Sequence, residues 1–223
     1  MAYATLRSVI ALLICCSCWA KLPGQADVLV PILKKNINSY GILIPKAKHT
    51  FPAGLVEQES NWELMAHLKT SREFGCGLIE VTITYTKNGA VRFDTLTDLV
   101  RAHPELRGWT WRDCYNADYQ LRALVLELGS YIKKCNTFMR GDDDVMACAG
   151  AMHNGGAGSV PKRVNKCKLA KACNPTKWYG NLDRFCPQSS VKVAGYGESF
   201  CQTNSLYPVR VERRAVKYEE VMK

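Results

Sequence analysis

The chain has 223 residues, 47% hydrophobic and 22% charged, a composition that supplies one full-sized core and excludes wholesale disorder. Its net charge of +10 suits an anionic partner, either a cell envelope or nucleic acid. No nucleic-acid-binding motif accompanies the charge, so an envelope surface is the expected partner and nucleic acid is not.

The first 26 residues, MAYATLRSVIALLICCSCWAKLPGQA, carry Arg7, an apolar run from Val9 to Ala20 and a small-residue exit. A bilayer span needs about 20 apolar residues, so this shorter run has the pattern of a secretory signal. Cleavage is expected after Ala26, with Ala20 as the alternative. Removal of residues 1–26 takes away Arg7 and Lys21, leaving a net charge of +8. It also removes Cys15, Cys16 and Cys18 and leaves eight cysteines: Cys76, Cys114, Cys135, Cys148, Cys167, Cys173, Cys186 and Cys201. An even number behind a signal predicts up to four disulfides in an oxidising compartment, with the connectivity open. No C-x2-C pair is present, and no zinc or other metal is expected.

Residues 27–50 hold short apolar pieces broken by Pro31, Gly41 and Pro45, a helix and a connector. Residues 51–64 predict a second helix, with Thr50 as cap and Pro52 in its first turn. On it Phe51, Leu55 and Trp62 recur at helical spacing, and Glu59 falls among them. Glu57 falls on the opposite face and is expected to meet water. A carboxylate among apolar neighbours is costly to ionise, and a carboxyl that keeps its proton near neutral pH is what a general acid requires.

Next, VTITYT, the turn signal Asn88-Gly89 and AVRFD predict a small hairpin. TLTDLVRAHPELRGW predicts a short helix stopped near Pro104. The strongest helix is YNADYQLRALVLELGSYIKKC, where Leu121, Leu124, Val125, Leu128 and Ile132 form one stripe. GDDDVMACAGAMHNGG places three aspartates at a helix N-terminus and ends at Gly155-Gly156. The spacing of an EF-hand loop is absent from it. Pro187 to Tyr207 is rich in Ser, Gly, Gln and Asn, and the charged end VRVERRAVKYEEVMK is a solvated helix or a frayed tail. The expected organisation is a signal over 1–26, one domain over 27–186 and a loop-rich C-terminal extension over 187–223.

Three segments, in order, resemble the motifs of lytic transglycosylases, bacterial and phage relatives of goose-type lysozyme. VEQES resembles their catalytic glutamate-serine motif. SREFGCGLIE, Ser71 to Glu80, is similar to the second motif, and MHNGGAGSV, Met152 to Val160, to the third. The resemblance covers roughly residues 50 to 165 and has the flavour of proteins encoded by bacteriophages and prophages. It implies a mainly α, lysozyme-like α+β fold with a small β-hairpin. It places the catalytic acid/base on Glu59 and substrate contacts on Ser60, Glu80, His153, Asn154, Gly155 and Gly156.

Two positions depart from the family's pattern: Glu80 stands where the family has glutamine, and His153 where it has the tyrosine that orients the catalytic carboxylate. The implied reaction is cleavage of the β-1,4 MurNAc–GlcNAc bond of peptidoglycan to 1,6-anhydro ends, with no cofactor. The implied partners are peptidoglycan glycan strands and a larger envelope-crossing or virion assembly. The implied location is the periplasm or cell envelope, with no stable membrane insertion after signal removal. The rival readings are a hydrolytic lysozyme using Glu80 or Asp94 as base, and a wall-binding protein with an inert cleft.

Overall fold

Apolar residues at helical spacing dominate this chain, and the structure, a computed structural model, is about 56% helical with one small antiparallel sheet. It describes residues 22–192 and 197–223. The apolar run assigned to the signal lies outside the described residues. Among the described residues, no helix is long and apolar enough to cross a membrane.

Helix α1 runs Ala26–Tyr40 and contains Pro31, which does not break it. Its entry is tied to the body of the protein. The Gln25 amide donates to the Trp62 carbonyl at 3.1 Å, the Leu64 amide donates to Gln25 Oε1 at 3.0 Å, and Ala26 is fully buried. Cleavage after Ala26 would discard these contacts, whereas the alternative boundary after Ala20 keeps them.

Helix α2 spans Phe51–Ser60, shorter than the periodicity predicts. Asn61 and Trp62 adopt left-handed backbone, φ 52° and 62°, and asparagine is among the few residues that tolerate it. The chain therefore turns sharply one residue after Ser60. Four strands follow in meander order: β1 His67–Lys69, β2 Glu73–Cys76, β3 Val81–Tyr85 and β4 Val91–Asp94. The predicted hairpin is β3–β4. β1 and β2 extend it into a sheet, with Phe74 paired to Ile83 and Gly75 to Thr82.

Helix α3, Thr95–Ala102, starts at Asp94, whose side chain accepts from the Thr97 amide at 3.0 Å. Helix α4 is Ala117–Cys135, and all five residues of its predicted stripe are buried. Helix α5, Asp142–Gly155, is buried continuously from Asp144 to Met152, not on one face only. Its run of Ala and Gly lets α4, α6 (Ser159–Lys168) and α7 (Phe200–Ala215) all close on it. Asp144 at its first turn accepts from the Trp178 amide at 2.7 Å and pairs with Lys177 at 3.0 Å.

The C-terminal residues are not a loop-rich extension. Ser199 and Gln202 form a reciprocal capping box that starts α7, and the chain closes with α8, Glu219–Met222. Tyr207, Val211, Ala215, Tyr218 and Met222 are buried, at the three- and four-residue spacing of a core-facing helix. α7 lies directly on α2. A Cβ at Gly54 would stand 2.4 Å from the Val211 carbonyl oxygen and 2.8 Å from the Ala215 nitrogen, so only glycine allows this crossing.

Among the described residues, three disulfides staple the domain. Cys76–Cys114 ties β2 to the segment before α4, Cys135–Cys148 joins α4 to α5, and Cys167–Cys173 closes the turn after α6. A native disulfide in a small domain contributes on the order of 2–4 kcal/mol. Cys186 and Cys201, both half-buried, form no disulfide among the described residues.

Candidate active site

Two adjoining hollows, about 520 and 530 Å³, form an open cleft between the sheet and the helices. Each is of the size that binds small ligands, and together they suit an extended one. Glu73, Glu80, Thr82, Asn154 and Gly155 line both. Glu59, Glu127, Tyr131 and His153 belong to the first hollow, with Phe93 and Leu99 along its wall. Leu68, Gln188, Glu198, Phe200 and Asn204 belong to the second. Among the described residues, no lysine or arginine lines either. The excess positive charge of the chain therefore lies elsewhere, and a phosphate backbone, which binds through cations, has no partner inside this cleft.

Glu59 comes from the last turn of α2, where the turn at Asn61 ends the helix. Its Oε1 accepts a hydrogen bond from the buried Tyr207 hydroxyl of α7. Burial first, and then the charge and hydrogen bond of Glu59, push the Tyr207 phenol well above its usual range, so it stays a donor. A phenol from α7, not a side chain at position 153, thus orients the Glu59 carboxylate. Sequence reasoning missed it because the surrounding segment is polar. The signal was present in the four-residue spacing of Tyr207, Val211 and Ala215.

His153 reaches a different carboxylate. Its Nδ1 lies 2.8 Å from Glu127 Oε2, and the Tyr131 hydroxyl donates to Glu127 Oε1 at 2.8 Å. Burial works against both charged forms. The hydrogen bond and charge of His153, with the Tyr131 hydroxyl, nevertheless hold Glu127 below the usual carboxylate range. Glu127 and, more weakly, Glu59 hold His153 above its ordinary value despite burial. The His153 ring therefore stands in the floor of the first hollow, paired to Glu127, and both Glu127 and Glu59 favour its charged form.

Glu80 sits at the junction of the two hollows. Gly77, φ 78°, makes the turn that delivers it, and any Cβ there would collide with the Gln120 amide. Gln120 is buried in α4, accepts from the Ile79 amide at 3.1 Å and donates to the Cys114 carbonyl. Glu80 itself has left-handed backbone, φ 50°, a conformation that costs energy for a residue with a side chain and concentrates at functional sites. Burial, then the charges of Glu59 and Glu73, raise its carboxyl to about 7.

An acid whose folded pKa is raised adds stability below its unfolded value, here 4.5, and loses it as pH climbs through about 7. The full shift corresponds to about 3 kcal/mol, reduced to about 1–2 kcal/mol because the half-exposed group is screened by solvent. Glu80→Gln should be more stable than the parent by about 1–2 kcal/mol at pH 8 and unchanged at pH 4. Urea melts at the two pH values measure this; equal melts at pH 8 would mean that Glu80 carries no such penalty.

Asn154, Gly155 and Gly156 also reach the cleft. A buried chain of donors fixes Asn154: Arg163 donates to Asn204 Oδ1 at 2.7 Å, and Asn204 Nδ2 donates to Asn154 Oδ1 at 3.0 Å. With its oxygen engaged, Asn154 has its NH₂ group free to donate. Ser60 is not brought into the site. It is buried, and its hydroxyl donates back to the Val56 carbonyl at 3.1 Å.

Glu57 does not face water either. It accepts from the Tyr218 hydroxyl at 2.5 Å and pairs with Lys217 at 2.8 Å, because the C-terminal helices cover that side of α2. Asp94 caps α3, accepts from the Trp111 indole at 3.2 Å and is not among the residues lining the cleft. No protein-family model matches the chain, and no curated protein matches it in sequence.

Proposed function

We propose that this chain is an exported, lysozyme-like enzyme that cleaves peptidoglycan glycan strands as a lytic transglycosylase. One observation carries the reading. The three segments that resemble the family's motifs are far apart in sequence, yet Glu59, Glu80 and the run His153 to Gly156 line one cleft. That cleft is open, has aromatic walls at Phe93 and Phe200, and carries no lysine or arginine among its described residues, which suits a glycan chain better than a polyanion. The three disulfides support export to an oxidising compartment.

In this reading the bond between MurNAc and GlcNAc lies across Glu59. A proton passes to the bridging oxygen while positive charge develops at the sugar carbon, which a carboxylate stabilises. The sugar's own 6-hydroxyl then closes a ring onto that carbon, and its proton goes to a carboxylate. Tyr207 fixes one oxygen of Glu59 and leaves the other to act. Glu80 beside Glu59 favours a second reading, hydrolysis, in which water replaces the 6-hydroxyl, since two carboxylates are the usual equipment for that reaction. Dye-labelled sacculi incubated with the exported protein should release soluble dye without a matching rise in reducing ends. No release would remove the reading.

A further inference from the structure

We infer that the two proton transfers of this reaction are divided between two side chains, Glu80 donating to the leaving oxygen and Glu59 accepting from the attacking hydroxyl. The inference rests on the proposed glycan cleavage and adds a second catalytic residue to it.

The surroundings of the two carboxyls are opposite in kind. Glu59 accepts from Tyr207, and the His153 ring, itself held by Glu127, stands near it. Tyr207 thus holds one oxygen of Glu59 in place and leaves the other open to accept. Glu80 has no side-chain hydrogen bond among the described residues. It faces Glu59 from α2 and Glu73 from β2, and across the hollows Glu127 and Tyr131 from α4, His153 from α5, Tyr207 from α7 and Glu198. Carboxylates that crowd one another in a half-dry cleft do not all ionise, and the least supported one keeps the proton. That is Glu80, raised to about 7. Two carboxyls held in unlike surroundings in one cleft can divide the roles of acid and base. The left-handed backbone that aims Glu80 at the junction of the hollows is a second sign of function.

The step balances. The bond from the sugar C1 to the bridging oxygen breaks, and the Glu80 proton goes to that oxygen. The 6-hydroxyl oxygen bonds to C1, and its proton goes to Glu59. Glu59 ends protonated and Glu80 ionised, and solvent exchange in the open cleft restores both.

The test compares the parent protein, Glu80→Gln and Glu59→Gln on two substrates. One is purified sacculi; the other is the 4-nitrophenyl glycoside of a short β-1,4-linked N-acetylglucosamine oligomer, whose leaving group departs without a proton. On sacculi, Glu80→Gln should lose about 10² to 10⁴ in rate, yet on the aryl glycoside it should stay within about tenfold of the parent. Its residual activity should also lack the decline that the parent shows as pH rises through about 7. Glu59→Gln should fall on both substrates.

Melting curves of each variant separate lost folding from lost chemistry, and Glu80→Asp, which keeps the acid but withdraws it, should retain part of the sacculus activity. Glu80→Gln with parental activity on sacculi, or with equal losses on both substrates, overturns the inference and leaves the glycan-cleaving reading standing. A parent protein inert on sacculi overturns that reading instead, and this inference with it.

Discussion

Glu59→Gln should lower turnover of purified sacculi by about 10² to 10⁴, the range that a positioned acid or base contributes. The amide keeps the volume of the carboxyl and can still accept from the Tyr207 hydroxyl. It can neither take a proton nor stabilise positive charge at the sugar. Folding should survive, because the amide fills the same space and leaves its hydrogen-bond partner satisfied. Glu63 is the control: it is exposed and lies beyond the end of α2. Glu57 is not a control, since Glu57→Gln breaks the pair with Lys217 and weakens the Tyr218 contact that joins α2 to the C-terminus. Parental turnover in Glu59→Gln would contradict the placement of Glu59 at the reacting centre.

Glu127→Ala should destabilise the fold by about 3–5 kcal/mol, the usual cost of removing one partner of a buried ion pair. It leaves His153 in the floor of the cleft without its partner, and leaves the Tyr131 hydroxyl without an acceptor. The pH dependence has a sign on each side. Glu127 is lowered, so its contribution is present above the unfolded value of 4.5 and fades as pH falls through the folded one. His153 is raised, so its contribution is present below 6.5 and fades as pH rises through the folded value. The difference between parent and variant should therefore be largest between about pH 4.5 and 6.5 and should narrow at alkaline pH. The double variant Glu127→Leu/His153→Phe should recover part of the loss, as apolar replacement of buried pairs often does. Urea denaturation across pH reads all three proteins. A flat difference across pH would mean that the pair carries no linked charge.

Much of the helical frame was legible because its periodicity is strong. The stripe Leu121, Leu124, Val125, Leu128 and Ile132 is buried as its spacing requires, and the alternation around Val81 to Tyr85 with the Asn88-Gly89 turn marks a real hairpin. Strands β1 and β2 were not legible. They are three and four residues long, too short to show a pattern, and exist through their pairing to β3. The C-terminal helices misled for a different reason: their surface is charged and their entry polar, and one buried position in three or four is easily read as a tail. Glu57 failed because a helical wheel assumes one covered face, whereas α2 is covered on both sides.

The same contrast holds in the cleft. Local motifs anticipated that Glu59, Glu80 and His153 to Gly156 would share one cleft, but they wrongly placed Ser60 there. Tyr207 and Glu127 were not anticipated, because each acts through a partner distant in sequence: Tyr207 on Glu59, Glu127 on His153. A carboxylate within Leu126-Glu127-Leu128 reads as a solvated helix position until its partner is seen.

The most direct test of the account is mass spectrometry of the fragments released when purified sacculi are incubated with the purified protein. Glycan cleavage by the chain's own 6-hydroxyl predicts muropeptides ending in 1,6-anhydro-MurNAc, lighter than the hydrolysis products by one water. Sacculi left intact, or fragments ending only in reducing sugars, would contradict it.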